Sequence, residues 1–337
     1  MPSFILCQVE ERMKKHKKLL LIALELLIVL GIAAGVVFYQ RRANERDTAL
    51  VGAEEAARRF TPSITYQGKS YPLKRNVTSL LLIGTDNYID DDKQIGDDFP
   101  YNFNLADFLV ILVFDHSNKT VTPFQICRDA MCDVTVTSGA TRQMQITLSH
   151  TYGSGKEDSA INTRNAVEGL LYWVPVDYFL TFTMETVPLM NDLVGGVTVK
   201  LEDDIPALGS EYVKGAEITL RGNAALRFVR YRDTELLDDN VRRMAHHRLY
   251  LTAFTGAARA AVANDPDLAT KAFRRVEKYL CTNLSVENVS TMVEDLCEYE
   301  ILPAVTPPGV YTEGEEFPEY HLDEAALWEC VRTVFCS

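Results

Sequence analysis

Two arginines two positions apart, Arg230 and Arg232 in "RFVRYRD", and three acids at the ends of apolar runs are the residues whose types and spacing could do chemistry. The acids are Asp86 closing "LLLIGTD", Asp107 opening "DFLVILVFD" and Asp129 in "QICRDAM", where Arg128 precedes it. An extended segment would place Arg230 and Arg232 on one face, whereas Arg227 joins Arg230 only if "GNAALRFVR" is helical. A guanidinium is a planar, permanently charged fork of donors that suits phosphate or carboxylate. Two forks beside two carboxylates able to take a divalent cation would make a pyrophosphate site. The plainer alternative is an internal network with Asp233, Asp238 or Asp239, and a single acid at a strand end is ordinarily just solvated.

Charge sharpens that choice. The chain holds 34 Lys+Arg against 47 Asp+Glu, a formal net charge of −13, and its first 47 residues hold 8 and 5 of these, leaving 26 and 42 beyond them. An acidic body of this kind disfavours nucleic acid as a partner. A local arginine cluster on it is no part of a diffuse basic surface and needs a specific anion.

The elements that must position these residues begin after a membrane segment. Residues 19–39, "LLLIALELLIVLGIAAGVVFY", are long and apolar enough to cross a bilayer as one helix. No small-x-small site followed by a polar stretch marks it as a cleaved signal. Lysines and arginines ahead of it point residues 1–18 to the cytoplasm, so the chain is expected to be a single-pass protein of the cell membrane with an extracytoplasmic body. Residues 40–75 read as a stalk and linker, 76–262 as the main domain and 263–337 as an accessory helical region.

In the main domain "VTSLLLIG" and "DFLVILVFD" are apolar runs too short for helices, so they predict buried strands. "TVTPFQIC" returns as a hairpin, with Pro123 signalling an edge or a bulge. "DSAINTRNAVEGLLYWV" has helical rhythm, "DYFLTFTM" is a strand, and "VPLMNDLVGGVTVKL" is a helix broken at Gly195-Gly196 before another strand. Strands interleaved with helices predict an α/β fold, a layered α-β-α sandwich around a central mixed sheet preceded by one transmembrane helix. Met244, Leu251 and Ala258 recur at sevens and predict an amphipathic helix with His247 on the same stripe. "PAVTPPGVYTEGEEFPEYH" reads as loop. Of six cysteines beyond residue 39, nearness in sequence suggests Cys127 with Cys132, Cys281 with Cys297 and Cys330 with Cys336, one of fifteen pairings.

The ordered pieces "LLLIGTDN", "ADFLVILVFDHSNKTV", "QICRDAM", "VDYFLTFTMETVPLMNDLVGGVTVKLEDD", "LRGNAALRFVRYRD" and "RRMAHHRLYL" resemble the LytR-CpsA-Psr family of cell-wall enzymes over residues 78 to about 260. The resemblance implies a membrane-anchored phosphotransferase that moves a glycopolymer from an undecaprenyl-pyrophosphate carrier to a peptidoglycan hydroxyl with Mg²⁺, the carrier's tail lying in an apolar cavity. It assigns the metal to Asp86 and Asp107 and the phosphates to Arg128, Arg230, Arg232 and Arg243, with Asp129 orienting an arginine. The base for the acceptor hydroxyl would be Asp107 or an acid of "LLDDN", Asp239 first.

Two departures stand out. Leu105-Ala106 precede Asp107 where many relatives have Arg-Ser, and His246-His247 replace an Arg-Gln pair, so both histidines become candidate phosphate contacts with pH-dependent charge, with a packed structural histidine the equal alternative for His247 on its apolar stripe. A metal-dependent polyprenyl-pyrophosphate hydrolase using the same groups with water, and a non-catalytic module that binds polyprenyl phosphate or wall polymer, are the competing functions.

Overall fold

Strands buried on both faces want the middle of a sheet, and the two most apolar runs take it. The structure is a computed structural model that describes residues 63–86, 102–233 and 239–337, less 266–267, 286–287, 289–290, 293–294, 296–298 and 315–316. The expected membrane span at 19–39, Cys297 and Asp238 lie outside the described residues. Among those described, no helix is long and apolar enough to cross a membrane.

A hairpin of β1 (Ser63–Tyr66) and β2 (Lys69–Pro72) leads to β3 (Val77–Thr85), β4 (Ala106–Asp115) and β5 (Thr120–Ile126). A second hairpin, β6 (Met131–Thr135) with β7 (Thr141–Gln145), precedes α1 (Glu157–Leu170), β8 (Tyr178–Thr183) and α2 (Thr186–Leu193). Next come β9 (Val197–Lys200), β10 (Glu217–Leu220), α3 (Asn223–Arg230), α4 (Asp239–Asn264) and α5 (Leu268–Val276). The chain closes with β11 (Leu280–Thr282), β12 (Glu300–Ile301), a hairpin of β13 (Gly309–Thr312) and β14 (Glu319–Leu322), and α6 (Glu324–Phe335).

The central sheet has the order β11-β8-β3-β4-β5-β12. It is mixed: β3 runs parallel to β8 and β5 to β12, while β4 opposes both of its neighbours. Leu81, Ile83, Leu109, Ile111 and Phe124 point to the face that packs with Val167 of α1 and Val331 and Phe335 of α6. Truncating one of these to alanine costs about 2–5 kcal/mol. The opposite face carries Leu80, Phe108 and Val110, and α4 crosses it, with His247 edge-on to Phe108 at 5.4 Å and Arg248 Nη1 donating to Gln125 Oε1 at 2.8 Å. A second core joins α4 to α2, α3, α5, β9 and β10 through Met190, Val197, Phe228 and Phe254.

Several expectations change. The buried stripe of α4 is Met244, His247, Tyr250, Phe254 and Ala258, while Leu251 faces solvent. The segment read as loop after residue 302 contains β13 and β14, whose Val310-Tyr311 and Tyr320-His321 pairs were hidden among prolines and glycines. Residues 63–72, within the expected linker, form a hairpin whose Tyr66 stacks on Trp328 at 4.2 Å. Residues beyond 262 supply both edge strands of the central sheet. Pro123 lies on the outer side of β5, where β12 spans two residues and Val305 N donates to Pro123 O at 2.8 Å.

The suggested disulfides also fail where both partners are described. Cys127, Cys132, Cys330 and Cys336 are free thiols. Cys127 Sγ instead accepts from Asn240 Nδ2 at 3.2 Å. Cys330 and Cys336 lie six residues apart along α6 and its end, a rise of about 9 Å that exceeds disulfide reach.

Candidate active site

The site forms because a β-bulge breaks the β3–β4 ladder at its end. Gly84 pairs with Phe108 but Thr85 pairs with Ala106, so Asp107 is the extra residue, at the strand end that also carries Asp86. A glycine is needed there, since a Cβ on Gly84 would come within 2.8 Å of the Phe108 Cβ. Arg128 follows β5 at the same end of the sheet, and Arg243 sits one turn into α4.

Asp107 is the centre. Arg128 Nη1 donates to its Oδ1, and Arg243 Nη1 lies 3.5 Å from its Oδ2. Arg128 Nε also donates to Asp129 Oδ1 at 3.2 Å, as expected of an orienting acid. Asp129 Oδ2 in turn accepts from Tyr311 OH at 2.9 Å. Arg243 is gripped from behind by Asn240, whose Oδ1 accepts from Nε at 3.1 Å and Nη2 at 2.8 Å. Burial, and then the neighbouring Arg243 charge, push the Arg128 guanidinium down to about 10, so it remains a cation at neutral pH. Arg243 is pushed the same way by burial and then by Arg232.

The other two arginines stand further out. Arg230 ends α3 and Arg232 lies in the extended residues after it, so the expected shared face is replaced by a helix end and its continuation. Arg230 Nη2 is 3.4 Å from Asp86 Oδ1, and Arg232 Nε donates to Asp239 Oδ2 at 2.6 Å. Arg227, also on α3, turns away to Leu208 O at 3.4 Å. Asp239 Oδ1 takes the Asp233 backbone N–H, so both oxygens of the expected base are occupied and it serves to hold Arg232. The fields of Arg232, Asp129, Asp86 and Asp239 all reach Arg243.

The structure therefore brings Asp86, Asp107, Arg128, Arg230, Arg232, Asp239 and Arg243 to one end of the sheet. His246 and His247 turn to other partners. His247 is buried, and its Nε2 donates to Val229 O at 2.8 Å. Burial, then Arg243, holds it at about 3, so it is neutral and packs rather than contacting phosphate. His246 Nε2 is 3.4 Å from Asp203 Oδ1 and its ring rests on Phe228 at 5.1 Å. Asn240 and Tyr311 were missed. Asn240 was findable from its i, i+3 spacing to Arg243 on a helix. Tyr311 was not, being 182 residues from Asp129.

A divalent cation fits the donor set. Asp86 Oδ1 is buried and makes no hydrogen bond among the described residues, with Arg230 Nη2 at 3.4 Å as its ion-pair contact, which leaves it coordinating capacity at the strand end that also carries Asp107. Among the described residues no group of three or more His, Cys, Asp and Glu forms a ready cage. Two carboxylates suffice for Mg²⁺, which completes its shell with water and substrate phosphate.

Polyisoprenyl-teichoic acid–peptidoglycan teichoic acid transferase TagU of Bacillus subtilis (strain 168) is 26% identical over 288 residues, 85% of this chain and 84% of that one. Among solved structures, TagT bound to LIIa-WTA superposes with a TM-score of 0.58 at 21% identity, covering 77% of this chain and 90% of that one. TagU of B. subtilis gives 0.53 at 24% identity, covering 77% and 95%. These likenesses show a shared α/β fold with a central mixed sheet. The sequence also matches the LytR_cpsA_psr family over residues 36–302, which contain every acid and arginine of the cluster and all six strands of the central sheet, and the chain belongs to that family.

Proposed function

We propose that this protein is an extracytoplasmic phosphotransferase that moves a glycopolymer from a polyprenyl-pyrophosphate carrier to a peptidoglycan hydroxyl. The observation that carries this is the convergence at one end of the sheet of three guanidinium groups on Asp86 and Asp107, with a fourth, Arg232, held beside them by Asp239. The glycopolymer transferase named among its relatives supports the choice of substrate. Apolar surface lies on the same sheet: Leu82, Leu112 and Phe182 are central in it yet only half-buried, surface of the kind a polyprenyl tail would cover.

Electrostatics suggest how the site is used. Arg128, Arg230, Arg232 and Arg243 face Asp86, Asp107, Asp129 and Asp239, a neutral set before substrate arrives. A pyrophosphate adds negative charge that must be offset. Asp86 and Asp107 would hold Mg²⁺, which when bound supplies positive charge at the phosphate oxygens. The arginines those acids now hold would then turn to phosphate. Arg128 and Arg243 would bind the leaving side from below while Arg230 and Arg232 close over it, with Asp129 and Asp239 keeping the forks aimed.

The acceptor oxygen attacks the phosphorus nearest the glycan, forming a new O–P bond as the bridging P–O bond breaks. The electron pair leaves with polyprenyl phosphate, and the hydroxyl proton would pass to Asp107 Oδ2, the oxygen that Arg243 gives up on turning to phosphate. The anchor proposed at residues 19–39 would keep the site at the carrier's membrane. The test is incubation of the full-length protein with a polyprenyl-pyrophosphate-linked saccharide, a peptidoglycan acceptor and Mg²⁺. Phosphate on the acceptor supports transfer, free glycosyl phosphate supports hydrolysis with water as acceptor, and tight binding without turnover supports a carrier-binding module.

A further inference from the structure

Beyond Asp129 the chain opens on a cavity of about 920 Å³ between the β6–β7 hairpin, the end of α1, and β14 with the start of α6. Its walls are aromatic and acidic: Tyr172 and Trp173 on one side, and Asp133, Glu319 and Glu324 on the others. Trp173 is 69% exposed, whereas the chain's second tryptophan, Trp328, is buried. Large exposed aromatics are informative because burial is their usual fate.

The backbone holds that indole out. Tyr172 and Trp173 have φ of 57° and 67°, two successive bulky residues in the left-handed region that glycine ordinarily takes after a helix. The conformation is pinned by Trp173 N donating to Glu168 O at 2.7 Å and by Tyr172 OH donating to Glu324 O at 3.2 Å. Strain held in this way clusters at sites that bind. The ring passes over Gly169, where an added Cβ would lie 3.8 Å from it.

A fixed, exposed indole beside carboxylates and the Gln143 amide is suited to saccharides, since the ring covers the C–H face of a pyranose while the polar groups bond its hydroxyls. Charge selects among them. Asp133, Glu319 and Glu324 repel a phosphodiester polymer, so the fitting ligand is an uncharged glycan. We propose that this cavity binds a neutral glycan strand and, resting on the transferase reading above, that it holds the acceptor. Continuity with the cluster favours this. Met131, two residues from Asp129, lines the cavity, and β14, which lines it with Glu319 and His321, pairs with β13, whose Tyr311 grips Asp129.

The full-length chain is titrated with chitohexaose and separately with poly(glycerol phosphate), by calorimetry and by protection of Trp173 fluorescence from acrylamide. Chitohexaose should bind and protect, Trp173→Ala should weaken it at least about tenfold, or 1.4 kcal/mol, and Arg128→Ala should leave it unchanged. Absence of chitohexaose binding, binding indifferent to Trp173→Ala, or displacement by poly(glycerol phosphate) overturns the glycan site. Transfer activity separates the two readings. Glycan binding lost in Trp173→Ala with no transfer by the unaltered protein keeps the site and removes the transferase, whereas transfer undiminished in Trp173→Ala removes the acceptor role and keeps the transferase.

Discussion

The inner and outer halves of the arginine cluster are built differently. Arg128 and Arg243 have side chains 11% and 4% exposed, and each is tied to Asp107 and to a second anchor. Arg230 and Arg232 are 51% and 39% exposed, each with one carboxylate partner among the described residues. Buried, doubly held charges are preorganised and costly to disturb. Exposed ones can leave a carboxylate for a phosphate at little cost. The difference teaches that the strand ends and the first turns of α4 form a fixed floor and the end of α3 a movable side.

The largest effect should come from the floor. Asp107→Asn and Arg128→Ala are each expected to lower transfer about a thousandfold, roughly 4 kcal/mol of lost transition-state stabilisation, measured as kcat with saturating carrier lipid. Arg243→Ala strips a partner from a buried carboxylate and should cost about 3–5 kcal/mol of folding stability in chemical denaturation. Arg230→Ala sharpens the contrast. With its side chain half in solvent it should raise KM about tenfold, near 1.4 kcal/mol, and leave the melting temperature unchanged. Equal damage from Arg230→Ala and Arg128→Ala would erase the distinction between floor and side.

Smaller effects test what holds the floor. Tyr311→Phe removes one hydrogen bond to Asp129 and should lower kcat several-fold, about 1 kcal/mol, with KM unchanged. His150 and His247 should govern acid stability rather than activity. Burial holds them at about 4 and about 3, below the ordinary 6.5, so the folded state refuses protons that the unfolded state binds. Stability should therefore be full above about pH 6.5 and fall as pH drops toward 4, each histidine contributing up to about 1.4 kcal/mol per pH unit. Urea denaturation across that range checks it, with His247→Phe flattening the slope.

Much of this was legible in the sequence because it depends on local pattern. Apolar runs with turn residues at their ends gave β3, β4, β5 and β8, and the acids at those ends were visible as candidates. The bulge at Asp107 was not legible, since register is a property of two strands and their partners. The histidine pair was ambiguous in the sequence because residue type suggests chemistry while burial and neighbours decide where each ring turns. Asp239 looked like a base by position, yet it faces Arg232 and the Asp233 N–H, which no spacing rule reveals. The C-terminal hairpin's grip on Asp129 escaped because it is a contact across 182 residues of chain.

The most direct test is calorimetric binding of geranylgeranyl pyrophosphate to the full-length protein with and without Mg²⁺. Binding should be strengthened by Mg²⁺ and weakened in both Arg128→Ala and Arg230→Ala, with the Mg²⁺ effect abolished in Asp86→Asn. Binding of equal strength in all three variants, or indifferent to Mg²⁺, would contradict a pyrophosphate site built from these groups.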